Sequence, residues 1–231
     1  MRWGKGLKAG WQGSLRSAVA SLLVLFTAAI LPGAAIADAT SNDAASDCFN
    51  ENSARRIPGC TALLDGSAKL SANERSLAHA MRALAYALQA QYELALRDYD
   101  EAIRLKPDFD VALNNRAWAL FKMNRYAEAM RDVEKALRMA PWSAHAFDTR
   151  AHLHQVEGRL QKALSDYLLA MRFGGEKLVK LYQCGLEANG LFKGPIDGVE
   201  SEDLRKALVS CVRDKSCDPL PPDEECRRPT S

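Results

Sequence analysis

Apolar and polar positions along residues 76–175 alternate with the period of a helix, not of a strand. Apolar side chains recur at i, i+3, i+4 and i+7 through segments of about 12 to 14 residues, which predicts a succession of amphipathic helices. The pattern then returns in register. Ala83, Tyr92, Ala95, Tyr99, Ala102 and Pro107 are followed 34 residues later by Ala117, Tyr126, Ala129, Val133, Ala136 and Pro141. A third copy reads Ala151, Leu160, Ala163, Tyr167 and Ala170, with Gly175 where the proline would fall. The units so defined span residues 76–109, 110–143 and 144–175, each predicted to hold two antiparallel helices. Ala83 and Ala95 fall at a helix crossing, where only a small side chain lets the axes approach; enlarging either should cost about 1–3 kcal/mol by overpacking. Pro107 and Pro141 stop the second helix, because proline lacks the amide donor and clashes with the preceding turn. A single helix pair cannot bury its outer faces, so the units are expected to stack, each touching mainly its neighbours.

The period and the small-residue positions resemble the tetratricopeptide repeat (TPR). The resemblance implies an all-α fold, a solenoid of TPR helical hairpins, and a protein or peptide partner held on the inner face. Repeat positions 2, 5, 9, 12 and 13 of each first helix share that face. They are Leu77, Ala80, Leu84, Ala87 and Leu88, then Val111, Asn114, Trp118, Phe121 and Lys122, then His145, Asp148, His152, Gln155 and Val156. The partner groove is therefore placed on Asn114, Trp118, Phe121, Lys122, His145, Asp148, His152 and Gln155, with Trp118 and Phe121 as anchors because aromatics supply large contact area. The alternative is that the chain's own first or last segment covers the apolar strip, which would leave the middle and third repeats open.

Residues 1–37 stand apart from this pattern. Arg2, Lys5, Lys8 and Arg16 precede an apolar run over 18–31, Pro32-Gly33 and the triplet Ala35-Ile36-Ala37. That order of basic start, apolar middle and small-x-small exit is expected of a secretory signal peptide cut after Ala37, and the run is short for a membrane span. The mature chain is expected to be periplasmic or secreted, without a membrane span. Its removal changes the charge. The whole chain carries 31 basic and 29 acidic residues, four of the basic ones within 1–37, which leaves 27 against 29. No basic stripe remains, so nucleic acid is not an expected partner.

All six cysteines, Cys48, Cys60, Cys184, Cys211, Cys217 and Cys226, follow the leader, and an even count in an exported chain argues for disulfides. Cys48 is paired with Cys60, since a bridge from either to the later four would have to cross three stacked units. The later four permit three pairings, of which Cys184–Cys211 with Cys217–Cys226 is favoured. Residues 38–47 are expected to be a flexible start, and a helix over 52–64 is expected to cap the first repeat within a stapled segment 38–75. The spacing from Cys48 to Cys60-Thr61-Ala62-Leu63-Leu64 resembles the cysteine-bracketed leader of exported TPR proteins in alphaproteobacteria.

After Gly175 a different small helical C-terminal module, 176–231, is expected. It has helices over 179–188 and 202–212, a glycine-rich turn between them and a proline-rich tail. Val179, Gln183, Leu186, Gly190, Phe192, Gly194, Pro195, Ile196, Asp197 and Gly198 resemble, in order, the small helical peptidoglycan-binding domain of cell-wall enzymes. Ser201, Leu204 and Cys211-Val212 depart from its pattern, and a Cys184–Cys211 bridge would replace the packing of the lost closing aromatic. The resemblance implies peptidoglycan as a second possible partner.

Two periodic features read as structural. Arg82, Arg116 and Arg150 at position 7 lie level with Asp98, Asp132 and Asp166 at position 23, forming a ladder of ion pairs. His152 and His154 are two apart on one helix and diverge, while His145 and His152 share a face about 10 Å apart, so neither pair suits a metal. Asp197 is expected to bond its own turn. No nucleophile–histidine arrangement and no phosphate-cradling loop stands out, so no catalytic residue, cofactor or metal ligand is assigned and no enzymatic activity is expected.

Overall fold

The computed structural model describes residues 43–66, 69–220 and 226. The leader and its cleavage site lie outside them. Among the described residues the chain is helical throughout, with no strand. A short helical segment at 43–48 leads into α1 (Ser53–Asp65). Three antiparallel pairs follow: α2 (Ala72–Leu88) with α3 (Tyr92–Leu105), α4 (Asp110–Lys122) with α5 (Tyr126–Met139), and α6 (Ala144–Val156) with α7 (Leu160–Ala188). The last helix, α8 (Glu202–Arg213), packs on α7. Each pair packs on the next, and the first helices of successive pairs touch one another, α2 on α4 and α4 on α6. This is the all-α helical-hairpin solenoid that the periodicity predicts.

The repeated alanines are what allow the stack. Ala83, Ala95, Ala117, Ala129, Ala151 and Ala163 are wholly inaccessible to solvent. Tyr99 and Tyr167 fill the space beside them at the same repeat position, where the middle unit has Val133. A second recurrent device joins the two helices of each unit. The fifteenth residue takes a left-handed backbone conformation in all three, Ala90 (φ 57°), Asn124 (φ 60°) and Gly158 (φ 76°). The following amides of Gln91, Arg125 and Arg159 then reach the carbonyls of Tyr86, Leu120 and His154 at 2.8–2.9 Å, closing the helix end as a Schellman-type cap does. Glycine enters this conformation freely and asparagine tolerates it, whereas alanine is strained by about 1–2 kcal/mol. Ala90→Gly is therefore expected to stabilise the chain by about 1 kcal/mol, read as a higher urea midpoint at unchanged slope.

The arginine–aspartate ladder forms within each unit, and in the first two it also ties the unit to the element before it. Arg82, Arg116 and Arg150 each grip Asp98, Asp132 and Asp166 with two bonds of 2.7 and 2.8 Å. Arg82 also donates to Thr61 of α1 at 3.0 Å, and Arg116 to Asp100 of the preceding unit at 2.7 Å. Asp98 accepts a further bond from His79 at 2.8 Å. Burial alone would raise the Asp98 carboxyl, but the hydrogen bonds from Arg82 and His79 outweigh it and hold the group below the usual carboxylate range.

Of the start expected to be flexible, residues 38–42 lie outside the described residues, and residues 43–47 are more ordered than their composition predicts. Cys48 and Cys60 are bonded, with Cα atoms 4.3 Å apart, and residues 43–48 lie against α1 instead of forming a loose start. Gly59 makes this possible: a β-carbon there would come within 2.5 Å of the Asp47 side chain and 2.6 Å of the Cys48 amide. Pro58 sits inside α1 without ending it, and Leu63, Leu64 and Cys60 bury against Ala78 and Met81 of α2.

At the other end α7 runs on past residue 175, where Gly175 leaves the helical region (φ 62°, ψ −160°) and bends it. The favoured pairing of the later cysteines is corrected here. Cys211 bonds Cys217, with Cα atoms 5.3 Å apart, and Cys184 bonds Cys226, 5.6 Å apart. The cause is a reversal just after α8: Asp214 accepts from the Ser216 amide and hydroxyl, and the Cys217 amide donates to the Asp214 carbonyl, which folds Cys217 back onto Cys211. The module's glycine-rich turn is organised by Gln183, whose amide donates to Asp197 (2.9 Å) and the Val199 carbonyl (3.1 Å) and accepts from the Gly198 amide (2.8 Å). Asp197 also accepts from the Val199 amide, so its carboxylate serves the turn.

Candidate functional site: the inner face of the repeats

The first helices α2, α4 and α6 form one continuous inner face. In the first unit Ala80, Leu84 and Ala87 are buried, while Leu77 and Leu88 remain partly exposed at its two ends. In the middle unit the Trp118 and Phe121 rings stack with centroids 5.1 Å apart, and the Lys122 ammonium lies 5.2 Å from the Trp118 ring. A cation over an aromatic face is favourable by about 0.5–1 kcal/mol where exposed. Phe121 is half-buried, Lys122 is exposed, and Asn114 and Trp118 are buried.

His152 of α6 sets its edge against both rings, with centroids 5.3 Å from Trp118 and 5.8 Å from Phe121. Tyr167 and Tyr182 continue the contact away from the groove, 5.3 Å from His152 and 5.9 Å from each other. An aromatic column thus runs from the middle unit through the third into the C-terminal module.

The third unit's inner face is occupied by residues 214–220, a strap that follows α8. The Gln155 amide nitrogen donates to the carbonyls of Cys211, Asp214 and Cys217 at 3.3, 2.6 and 3.0 Å, while its oxygen accepts from the Tyr167 hydroxyl at 2.7 Å. Tyr167 thereby fixes which way the amide points. His152 meets the Asp218 carboxylate through Nε2 at 3.2 Å and the Asp148 carbonyl through Nδ1 at 2.9 Å. Asp148 accepts from the Tyr182 hydroxyl at 2.6 Å, and Asn189 donates to the Asp218 carbonyl at 2.9 Å. Leu220 is buried in the main core.

Several placements made from the sequence change accordingly. Asp148, His152 and Gln155, expected to face a partner, are committed to the chain's own strap and module; Gln155 keeps about 1% of its surface and Asp148 the same. Trp118, expected to be an exposed anchor, keeps 7% and is an internal pillar of the aromatic column. The last segment covers the third unit, not the first, so the third unit is not the open end that self-coverage was expected to leave. Phe121, Lys122 and His145 are the site residues that still reach solvent. The strap has no periodicity to betray it. The clue was the buried-looking polar triad of Asp148, His152 and Gln155 on a helix face where the first unit carries Ala80, Leu84 and Ala87.

The two neighbouring histidines diverge. His152 turns to the strap, whereas His154 Nε2 lies 3.7 Å from Asp166 beside the ladder, where burial pushes its imidazole below the usual histidine range. Among the described residues no group of three or more His, Cys, Asp or Glu side chains converges as a metal site. No helix of the described residues is long and apolar enough to cross a membrane.

Comparison with known proteins agrees with the architecture. Residues 77–109 and 111–141 each match a family model of the tetratricopeptide repeat. Among solved structures the chain is similar to the crystal structure of MamA (13% identity, 60% of this chain and 78% of that one, TM-score 0.50). It is also similar to a MamA RS-1 ArsTM double mutant (16% identity, 67% and 83%, TM-score 0.51). A shorter likeness is to the first TPR of Spaghetti (RPAP3) bound to the HSP90 peptide SRMEEVD (23% identity, 44% and 80%, TM-score 0.42). No curated protein matches the chain. At these identities the two MamA likenesses speak for the fold alone, and the family models show that the chain carries tetratricopeptide repeats.

Proposed function

We propose that this chain is an exported, non-enzymatic scaffold that binds a protein segment on the inner face of its first two repeats. The observation that carries the proposal is the half-buried Phe121, stacked on Trp118 and bordered by the exposed Lys122, with Leu88 partly exposed at the equivalent end of the first unit's inner helix. A partly exposed aromatic ring with a cationic edge on the face of stacked helices suits an extended segment or one face of a helix. Export is supported by the leader-like residues 1–37 and by three disulfides, which persist in oxidising compartments.

The test is the double substitution Phe121→Ser with Lys122→Glu. Both side chains reach solvent, so helical content should be unchanged, while capture of the partner from an extract of the oxidising compartment should fall at least tenfold. Equal capture by the double variant would remove the first two repeats from consideration.

A second reading, binding to peptidoglycan, draws on the turn-and-helix pattern of the C-terminal module, where Leu191 and Val199 stand exposed beside the Gln183–Asp197 turn. Because α7 is shared between the third repeat and the module, the whole chain is the proper reagent. Sedimentation with isolated murein that is lost in a Leu191→Ser, Val199→Ser variant would support it; no sedimentation of the whole chain would dismiss it.

A further inference from the structure

We infer that the chain pairs with a second copy of itself, each protomer inserting Trp142 into a cleft between the second and third repeats of its partner. Phe121 and Lys122 take no part in this surface, so the inference stands apart from the inner-face reading.

The cleft forms where the ladder is left open. In the first two units the Arg82 and Arg116 guanidiniums use Nη1 to reach Thr61 and Asp100, which closes each unit against the element before it. Glu134 stands 34 residues after Asp100, yet it makes no ion pair with Arg150, which holds Asp166 through Nε and Nη2 alone. The gap is an open cleft of about 410 Å³, with apolar walls from Leu137, Pro141 and Phe147 and polar groups from Glu134, Arg138 and Arg150. Arg138 is uncommitted as well. Its counterpart Arg104 bonds Glu101 at 2.7 Å, but Lys135 replaces that glutamate in the second unit, and among the described residues Arg138 has no ion pair.

These groups suit an indole. The Arg150 guanidinium already lies 5.3 Å from the Phe147 ring centre, so a further aromatic ring entering the cleft would meet apolar walls and two cations. A buried indole also needs an acceptor for its N–H, which the Glu134 carboxylate supplies. The chain presents such a ring beside the same cleft: Trp142 follows Pro141 directly and keeps 68% of its surface exposed. Phe173, 44% exposed, stacks on Phe147 with centroids 5.6 Å apart and extends the apolar edge. The repeat position of Trp142 holds Asp108 after the first unit and Glu176 after the third, so the feature belongs to this one junction.

Because ring and receptor lie side by side on one protomer, a two-fold axis passing near Trp142 satisfies both at once, as an isologous contact requires. Two indole–cleft contacts and the Phe173 edge make a small interface, under about 1,200 Å² in total, so the pair is reversible and concentration-dependent.

Sedimentation velocity of the mature chain over a concentration series tests the inference. Expected is a monomer–dimer equilibrium in which acrylamide quenching of tryptophan emission falls as dimer forms. The mature chain has two tryptophans, and Trp118 is already buried, so the ring that becomes covered is Trp142. Trp142→Ser and Arg138→Glu, both at exposed positions, should keep the helical content and each weaken dimerisation at least tenfold. Their equimolar mixture should dimerise more tightly than either alone, because the intact cleft of the Trp142→Ser protomer receives the indole of the Arg138→Glu protomer. A chain that stays monomeric throughout the series would overturn the proposal. So would a Trp142→Ser variant that dimerises like the unaltered chain, or a mixture no tighter than its components. Partner capture through Phe121 and Lys122 is read separately and is untouched by these results.

Discussion

Ala117→Leu is expected to lower stability by about 3 kcal/mol, the upper end of the overpacking range, and the melting temperature by about 6–10 °C. Ala117 lies where α4 crosses α5, is wholly inaccessible, and has Ala129, Val133 and Leu120 in the same packed cluster. Three added carbons have no void to enter, and the α4–α5 spacing is set from both sides by the neighbouring pairs. Ala127→Leu is the control. It enlarges an exposed alanine on α5 of the same hairpin and should change stability by no more than about 0.5 kcal/mol. Thermal denaturation of the two variants decides it; equal melting temperatures would mean that the crossing is not close-packed.

The second large effect concerns the ladder. Arg82→Leu should cost about 2–3 kcal/mol, less than a fully buried pair because Arg82 retains some exposure. It strands the buried Asp98 carboxylate with His79 alone and cuts the bond to Thr61 that ties the first repeat to α1. The penalty should depend on pH with a definite sign. The folded-state Asp98 carboxyl is held below its ordinary value, so its contribution is full above the usual carboxylate range and is lost as pH falls through the lowered folded-state value. Urea midpoints should therefore separate the two proteins most above about pH 5 and bring them together towards about pH 2. A gap that stays constant across that window would place the effect in the arginine's packing, not its charge.

What the sequence revealed and what it hid follow from the range of the interactions involved. The hairpins were legible because Ala83, Ala95 and their counterparts act through contacts that recur every 34 residues, so each unit repeats the evidence of the others. The ladder was legible for the same reason. The left-handed fifteenth position was not, since Ala90, Asn124 and Gly158 share a backbone conformation without sharing a residue type. The strap was hidden because its contacts join Gln155 to residues 59 and 62 positions away through main-chain carbonyls, which every residue possesses. Cys48–Cys60 was legible, but the pairing of the four later cysteines failed with the strap. Cys211–Cys217 depends on the reversal at Asp214, and Cys184, bonded to Cys226, is adjacent to Gly185, where Pro219 and Leu220 cross α7. Whether His152 and Gln155 meet solvent is decided by a segment that no periodicity announces.

Partner recognition by the inner face can be tested without knowing the partner. A photo-crosslinking amino acid placed at position 122, on the inner face, and at position 131, an exposed site on the outer helix α5, would be irradiated in intact cells and the adducts identified by mass spectrometry. Recognition through the first two repeats predicts one reproducible polypeptide adduct from position 122, lost when Phe121 is also changed to serine, and none in common with position 131. The same adducts from both positions, or none from position 122, would contradict it.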